Sequence, residues 1–328
     1  MLDKLIKLNS SLKRLKRDTT WNLRVDDSFF RNAKGSRILV YHGICRDDHL
    51  RFNTLFIKKK TFEAHLKFYK KYFNVISLDD FYCQRFDNNR FNVCLTFDDG
   101  FANNYKYVLP LLEQYEVPAT FFITGIRDTG YDILWNDVLS IARKYGPAKF
   151  HFRNEEFTKE RDGRYISSLS NKLLVDMLRS RNFEEKEEMI NALGEFRNRV
   201  DSDYWLQLTK EEIRDLSVSK WVTIGSHSYY HNDLAKISPT SAQDDICRSK
   251  QFLEDIAGRE IKAIAFPYGS YTQDTISAAK KAGLIQLLAT EFLFPSDKTD
   301  TTMRERLTIN PFISVFNQCH ANIKGNYK

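Results

Sequence analysis

From residue 36 onward, short apolar runs alternate with segments in which apolar residues recur every three or four positions. The first pattern is typical of buried strands and the second of helices that pack on a sheet, so the chain predicts β-α units with a largely parallel sheet. Strands are predicted at 37–42, 73–78, 92–97, 119–124, 221–225, 261–266, 284–289 and 307–309. Helices are predicted at 60–71, 105–115, 210–216, 242–256 and 273–282. This is about the number of strands that a barrel needs.

The stretch from about 130 to 218 breaks this alternation. It is long, charged and mostly helical in pattern, with helices predicted at 172–179 and 183–200. We therefore expect an insertion at about 130–218 within a domain of residues 36–328, and this domain follows an N-terminal extension of residues 1–35. A length of 328 residues suits one α/β barrel with such additions.

The N-terminal extension begins with a basic amphipathic segment. Six lysines and arginines against one aspartate give residues 1–17 a net charge of +5. Five apolar residues of this segment fall roughly on one helical face: Leu2, Leu5, Ile6, Leu12 and Leu15. Two interpretations stay open, a helix that lies on an anionic membrane surface and a solvated leader helix that packs on the domain.

Composition indicates a folded protein of a reducing compartment. Hydrophobic residues make up 42% of the chain, and its five cysteines are widely spaced without the paired spacing of a zinc knuckle. No apolar run reaches the roughly 18 to 20 residues of a membrane span, and residues 1–17 lack the features of a signal peptide. We therefore expect a cytoplasmic protein, with peripheral contact to the inner membrane face through residues 1–17 as a further hypothesis. Basic residues outside that segment are matched by acids, which argues against nucleic-acid binding.

Three polar clusters each follow a predicted strand directly. They are Asp98-Asp99-Gly100, the segment from His227 to His231, and Pro267-Tyr268-Gly269. In parallel α/β folds the carboxyl ends of the strands and the loops after them form the active-site face. We therefore expect the three clusters to converge on one cleft.

Asp98 and Asp99 are adjacent carboxylates at the end of an apolar strand. Adjacent strand residues point to opposite faces, so both can reach one site only where the strand bends, as Gly100 permits. Two close carboxylates repel each other unless a cation neutralises them, and a divalent cation does so while leaving one carboxylate free as a base. The alternative is a polar turn or a helix N-cap, and this motif alone does not decide between them.

His227 and His231 favour the metal hypothesis. Histidines spaced i, i+4 can place both imidazoles on one side of a turn and bind one zinc ion, although a lone pair is more often structural. Two histidines plus one aspartate, however, give the three protein ligands of a catalytic zinc site and leave positions open for water and substrate.

Together these motifs resemble the polysaccharide deacetylase family, the NodB-like carbohydrate esterases of family 4. The family's first motif matches residues 96–100 (Thr-Phe-Asp-Asp-Gly), and its second matches residues 227–231. Its third motif begins with arginine in much of the family but is Phe-Pro-Tyr-Gly here, at 266–269. A branch with that variant also carries an N-terminal Tyr-His segment like Tyr41-His42. The resemblance extends from about residue 37 to 290, except for the insertion.

The resemblance implies a distorted (β/α) barrel of about seven strands. It also implies a metal-dependent hydrolase of linear amides that removes the N-acetyl group from a sugar and releases acetate. Asp99, His227 and His231 would hold zinc or another divalent transition metal, and Asp98 would be the general base. The backbone N–H of Tyr268 would stabilise the oxyanion. The substrate would be an N-acetylated carbohydrate, either a polysaccharide, an oligosaccharide or a lipid- or nucleotide-linked precursor.

One part of the family pattern is missing. Much of the family ends with a Leu-x-Leu-His segment whose histidine protonates the leaving amine, but residues 287–302 contain no histidine. In a barrel the first strand lies beside the last, so His42 could reach the pocket and act as the acid. The alternative for His42 is a buried structural histidine bonded to backbone.

Other residues and functions keep more than one interpretation. Trp135 could stack on a sugar ring or pack in the core. Arg304 and Arg306, placed before the final strand, could contact an anionic substrate, support Asp98 or be solvated surface groups. The insertion could build an open cleft for glycans or a capped pocket for a small-molecule amidohydrolase of the same fold. A catalytically silent carbohydrate-binding protein is a further alternative, against which the full set of ligands and base argues. Nothing in the sequence indicates an oligomeric state.

Overall fold

The computed structural model describes residues 11–19 and 27–327. Its strands are β1 (Ser36–Tyr41), β2 (Ile44–Cys45), β3 (Ile57–Lys58), β4 (Phe73–Val75), β5 (Phe91–Phe97), β6 (Ala119–Ile123), β7 (Lys149–Phe152), β8 (Glu155–Lys159), β9 (Tyr165–Ser167), β10 (Val222–Ser226), β11 (Ala263–Ala265), β12 (Gln286–Ala289) and β13 (Met303–Thr308).

The α-helices are α1 (residues 11–19), α2 (Ser28–Arg31), α3 (Lys59–Tyr72), α4 (Leu78–Tyr82), α5 (Leu109–Tyr115), α6 (Trp135–Tyr145), α7 (Leu174–Arg179), α8 (Phe183–Leu193), α9 (Lys210–Val218), α10 (Pro239–Ala257), α11 (Gln273–Lys281) and α12 (Val315–Lys324). A π-helical turn, Asn104–Val108, precedes α5.

Seven parallel strands of the described chain close into a barrel. They follow the order β1-β13-β12-β11-β10-β6-β5, and β5 pairs again with β1 to complete the ring. Within this register Val40 lies opposite Thr96 on one side and Thr308 on the other. β4 pairs with β5 as an additional strand. The predicted α/β barrel of about seven strands with surrounding helices is therefore confirmed.

The barrel strands are apolar because both of their faces are covered. All seven residues of β5 and all four residues of β12 are buried, as expected for parallel strands between a barrel interior and outer helices. The final strand is the exception. It begins at Met303 rather than at residue 307, so the prediction that Arg304 and Arg306 precede it is wrong. The beginning of this strand was missed because charged residues follow Met303 directly, and a prediction from hydrophobic runs does not include a buried arginine.

The segment between β6 and β10 builds its own core beside the barrel. Helices α6, α7 and α8 pack there against an antiparallel sheet of order β7-β8-β9. This small sheet was not predicted, because its strands are rich in charged residues. The predicted helix at 183–200 ends at Leu193, where Gly194 takes a φ of 89°. Most of this core comes from residues between Ile133 and Trp205, and Cys45, Phe56 and Phe101 also pack in it. Ile213 of α9 packs in the barrel core instead.

α1 covers the described part of the predicted amphipathic leader, and residues 1–10 lie outside the described residues. α1 contacts α12, because the Arg17 guanidinium lies 2.6 Å from Nδ1 of His320 and the Asp18 carboxylate accepts a hydrogen bond from Asn317. Leu12 and Leu15 nevertheless remain 57% and 64% exposed. No helix in the described ranges is long and apolar enough to cross a membrane.

Candidate active site

The three predicted clusters meet at the carboxyl ends of the barrel strands. They line one cavity of about 380 Å³, together with His42 at the end of β1. All six residues predicted from the sequence face this cavity: His42, Asp98, Asp99, His227, His231 and Tyr268. The expected convergence on one cleft is therefore observed.

Asp99, His227 and His231 form a compact set of metal-binding groups. Oδ1 of Asp99 lies 3.3 Å from Nε2 of His227 and 3.3 Å from Nε2 of His231, and all three residues are buried. Nδ1 of His227 lies 2.7 Å from the carbonyl oxygen of Ala265 and donates to it, which leaves Nε2 as the ligand atom. Two imidazole nitrogens and one carboxylate are the donor set of a catalytic zinc site, so these residues fit a divalent metal.

Tight backbone turns aim these side chains into the cavity. Asp99, His231 and Tyr268 have φ angles of 77°, 53° and 60°, in the left-handed region that non-glycine residues rarely adopt. Because Asp99 itself turns, the bend after β5 begins one residue before Gly100, and both adjacent carboxylates reach the cavity. Left-handed non-glycine residues cost free energy and cluster at functional sites, as they do here.

Asp98 is held by a buried arginine. Nη1 and Nη2 of Arg306 donate to the two carboxylate oxygens of Asp98 at 2.7 and 2.8 Å, and Nη1 also lies 3.2 Å from Oγ1 of Thr96. Burial by itself raises the pKa of the Asp98 carboxyl, but the charges of Arg306 and His227 outweigh it and lower that pKa below its ordinary value. Asp98 is therefore an ionised carboxylate with a fixed orientation.

His42 lies in the same cavity without a hydrogen bond. Its Nδ1 is buried and has no partner, and within residues 27–327 neither ring nitrogen bonds to backbone. The structural alternative of a histidine bonded to backbone is thus not observed. His42 lies close enough to Asp98 and Asp99 to interact electrostatically with both carboxyls.

Tyr268 covers one side of the histidine pair. Its hydroxyl lies 3.1 Å from Nδ1 of His231, and the two ring centroids are 4.9 Å apart. The Tyr268 amide takes no part in the backbone hydrogen bonds that close its turn, from Gly269 to Phe266 and from Ser270 to Pro267. The side chain is 36% exposed and forms part of the cavity wall.

Comparison with known proteins identifies the family. The family model described as polysaccharide deacetylase matches residues 87–287. The chain belongs to the polysaccharide deacetylase family.

The relatives compared with this polysaccharide deacetylase share low sequence identity with it. "Putative polysaccharide deacetylase YxkH" of Bacillus subtilis (strain 168) is 22% identical over 258 residues, which are 77% of this chain and 64% of that protein. The chain thus spans less than two thirds of that relative's length. Among solved structures, Streptococcus pyogenes deacetylase PplD in complex with acetate has a TM-score of 0.53 at 19% identity, covering 87% of this chain and 97% of that one.

A second solved structure, IcaB from Ammonifex degensii, has a TM-score of 0.55 at 16% identity. The match covers 89% of this chain and 98% of that one. At these identities the two structures support the fold of the family.

Arg306 is a cavity residue whose role the sequence left undecided. This family member has no arginine in its third motif, and the arginine that contacts Asp98 comes from β13 instead. Support of Asp98 was one of the three interpretations, and it is the contact observed. Arg304 does not contact Asp98: its guanidinium donates to the backbone carbonyls of Thr301 and Met303 and lies 4.8 Å from the ring centroid of Tyr82.

Asp137 is a cavity residue that the sequence analysis missed. It comes from α6 of the insertion, is only 3% exposed, and its Oδ2 has no hydrogen-bond partner in the described chain. Burial, reinforced by repulsion from Asp99, raises the pKa of the Asp137 carboxyl well above its ordinary value. An acidic residue in the first turn of a helix is common, so its position gave no functional signal.

Trp135, beside Asp137, packs rather than lines the cavity. It is 2% exposed within the insertion core, and Nζ of Lys186 lies 5.1 Å from its ring centroid. Of the two interpretations, core packing is the one observed.

Proposed function

We propose that this protein is a metal-dependent hydrolase that removes the acetyl group from an N-acetylated sugar and releases acetate. The observation that carries the proposal is the buried set of Asp99, His227 and His231 beside a separately paired carboxylate, Asp98, in one cavity. Zinc is the favoured ion because the donor set is two imidazoles and one carboxylate, although other divalent transition metals suit the same ligands.

The chemistry divides between the metal site and the residues around it. Asp99, His227 and His231 would hold the divalent ion, which would supply Lewis-acid polarisation of the acetamide carbonyl and a lower pKa for the attacking water. Asp98 accepts a proton from that water, since its lowered pKa keeps it ionised and Arg306 fixes its orientation.

Two further groups act on the substrate as the amide bond breaks. The backbone N–H of Tyr268 donates to the oxyanion that develops on the carbonyl oxygen. His42 gives a proton to the leaving amine, which its unpartnered ring in the same cavity supports. His42 would thus replace the acid that the missing Leu-x-Leu-His segment supplies elsewhere in the family.

Acetate release tests this proposal. N-acetylhexosamine oligomers, nucleotide sugars and lipid-linked sugars are incubated with zinc-loaded protein, with a chelated control and with the variants Asp98→Asn and His42→Ala. We expect metal-dependent release that falls at least about 100-fold in each variant, because each loses a proton-transfer group, while bound zinc stays at the wild-type level. No release from any sugar despite bound zinc would contradict the deacetylase. Wild-type turnover of His42→Ala would reject His42 as the acid.

We further propose that the protein is cytoplasmic and contacts the anionic inner membrane face through its N-terminal segment. Exposed Leu12 and Leu15 lie among the basic residues Lys13 and Lys16 on α1 and support this location. The full chain should sediment with anionic vesicles, and a chain lacking residues 1–17 should stay in the supernatant. Equal sedimentation of both chains would contradict membrane contact through this segment.

A further inference from the structure

A second cavity, which we call the basic basin, adjoins the cavity of about 380 Å³ that holds Asp98, Asp99 and the two histidines, which we call the catalytic cavity. The basic basin has a volume of about 430 Å³, and its lining includes five cationic side chains against two acidic ones, Glu160 and Asp162. The cationic residues are Arg51, Arg143, Lys144, Lys159 and Arg161. Phe52, Thr54, Ser140 and Arg143 line both cavities, so the basin and the catalytic cavity are contiguous.

Helix α6 connects the metal-binding groups to the basin. Asn136, Ser140 and Arg143 follow the i, i+4, i+7 spacing of one helical face, and all three line the catalytic cavity. Asp137 at one end is close enough to Asp99 to be repelled by it, and Arg143 at the other end borders the basin. At 1.5 Å per residue, the helix rises about 9 Å between these two positions.

Several of the basin's cations have no acidic partner. Lys159 is committed to the carbonyls of Ala142 and Gly146 at 2.8 and 2.6 Å, and the basin's Asp162 is paired with Arg164. Within the described ranges, by contrast, Arg51, Arg143, Lys144 and Arg161 form no ion pair with a carboxylate. Five cationic side chains against two acidic ones leave the basin with a net positive charge, and a cleft lined mainly by one sign of charge raises the local concentration of an anion.

We propose that the basic basin binds a phosphate or diphosphate group that the sugar carries while its acetamide lies at Asp99, His227 and His231. This inference rests on the proposed deacetylation. In a 2-acetamido sugar the anomeric carbon is bonded to the carbon that bears the nitrogen, so an anomeric phosphate lies beside the acetamide, as the two contiguous cavities require. Arg51, Arg143 and Arg161 offer the planar donors that match phosphate oxygens. An uncharged glycan would make no use of these cations.

The kinetic test compares a phosphorylated and an uncharged substrate. Acetate release is measured with N-acetylglucosamine 1-phosphate and with triacetylchitotriose, using wild type, Arg51→Ser/Arg161→Ser, whose two arginines line only the basin, and a control of equal charge change outside both cavities, Lys220→Ser/Lys281→Ser. The basin variant should lose about tenfold to 100-fold in kcat/KM for the phosphate, mainly through KM, because it loses charged hydrogen bonds. Its kcat/KM for triacetylchitotriose and both values of the control should stay at the wild-type level. Equal losses on both substrates, or no loss on the phosphate, would overturn the basin as a phosphate site.

A binding test separates this inference from the deacetylation itself. Calorimetry with Asp98→Asn should show tighter binding of N-acetylglucosamine 1-phosphate than of N-acetylglucosamine, and adding Arg51→Ser/Arg161→Ser should abolish the difference. Absence of acetate release with this difference intact would reject the deacetylase while keeping the phosphate site. UDP-N-acetylglucosamine and a polyprenyl-diphosphate N-acetylglucosamine in detergent distinguish a nucleotide from a lipid as the phosphate's source. If the phosphate and uncharged sugars bind equally, the inference is wrong.

Discussion

The barrel and the insertion contribute to the cleft in different ways. The barrel places Asp98, Asp99 and His227 directly after β5 and β10, within short motifs that the sequence displays. The insertion reaches the same cavity through single residues on α6, such as Asp137, which belong to no motif. Groups that carry out the proposed chemistry thus stand on the rigid parallel sheet, and groups that shape the cavity stand on the added segment.

The insertion also supports the loop that carries the second motif. Arg179 of α7 lies 2.9 Å from the buried carboxylate of Asp233, and its guanidinium lies 4.5 Å from the ring centroid of Tyr268. Lys186 of α8, which is fully buried, donates to Oδ1 of Asn232 at 2.7 Å. Two insertion cations therefore hold residues next to His231. From this difference between the regions we expect substitutions in the barrel to abolish turnover. We expect substitutions in the insertion to weaken substrate binding or the positioning of the histidine loop.

Arg306→Met should have the largest effect. It leaves Asp98 buried without a counter-charge, so we expect a loss of about 3–5 kcal/mol in the free energy of unfolding at pH 7. Because Arg306 lowers the pKa of Asp98, its removal raises that pKa, and the acid limb of the kcat/KM profile should move to higher pH. Activity at pH 7 should fall by about 100-fold or more. Urea unfolding and pH-dependent acetate release measure these effects.

Two variants control for the loss of the arginine. Arg304→Met, two residues earlier on β13, removes an arginine that contacts two nearby carbonyls and the Tyr82 ring but not Asp98, so it should keep wild-type activity. Asp98→Leu/Arg306→Met removes both charges and should recover most of the lost stability, although not the activity. If Arg306→Met were as stable and active as Arg304→Met, the barrel would not hold its base through this ion pair.

The barrel and its motifs were predictable because their signals are local. Strand positions, the metal-binding set and the convergence of the loops follow from runs of a few residues and from the rule that the carboxyl ends of parallel strands share one face. Arg306 was identified in the sequence, but its role could not be chosen, because its contact with Asp98 depends on β13 lying beside β1 in the closed barrel. Asp137 and Lys186 gave no signal, because their roles depend on how a charged, irregular insertion packs against the barrel.

Asp137→Leu should reduce activity less than Arg306→Met does. At alkaline pH it should stabilise the fold, whereas Arg306→Met should destabilise it. The folded-state pKa of Asp137 is raised above its ordinary value, so stability from this group is full below the unfolded pKa and is lost as pH rises through the folded pKa. The leucine variant should thus match wild type near pH 4 and exceed it by about 1–2 kcal/mol at alkaline pH. Its KM should rise about tenfold, because we expect the unpartnered Oδ2 of Asp137 to bind a polar group of the substrate, and leucine offers no polar atom in its place.

Asp137→Asn is the matched variant for this test. It removes the ionisation but keeps hydrogen bonding, so it should share the stability gain of the leucine variant while retaining a KM closer to wild type. Unfolding curves at several pH values and Michaelis kinetics provide the measurements. A leucine variant with wild-type KM would make Asp137 an ordinary helix residue and limit the insertion to a structural role.

Lys186→Met should have the smallest effect, and it tests the support of the histidine loop. Lys186 bonds to Asn232, whose amide donates to Asp245 at 3.0 Å, and Asp245 accepts hydrogen bonds from the backbone of Tyr229 and Tyr230. This chain of contacts holds the backbone between the two histidines. Methionine has a similar length but cannot donate to Asn232, so the loop should lose part of its fixed geometry.

We expect zinc affinity to fall about threefold to tenfold in Lys186→Met, at or below the range for outer partners of metal ligands, since Lys186 acts through two intermediate residues. At saturating zinc its kcat should return to near the wild-type value, which distinguishes positioning from catalysis. Competition with a chelating dye measures the affinity. Lys236→Met is the control, because Lys236 lies 3.8 Å from Asp233 on the same loop but is 45% exposed. If both variants bound zinc as wild type does, the histidine loop would be held by the barrel alone.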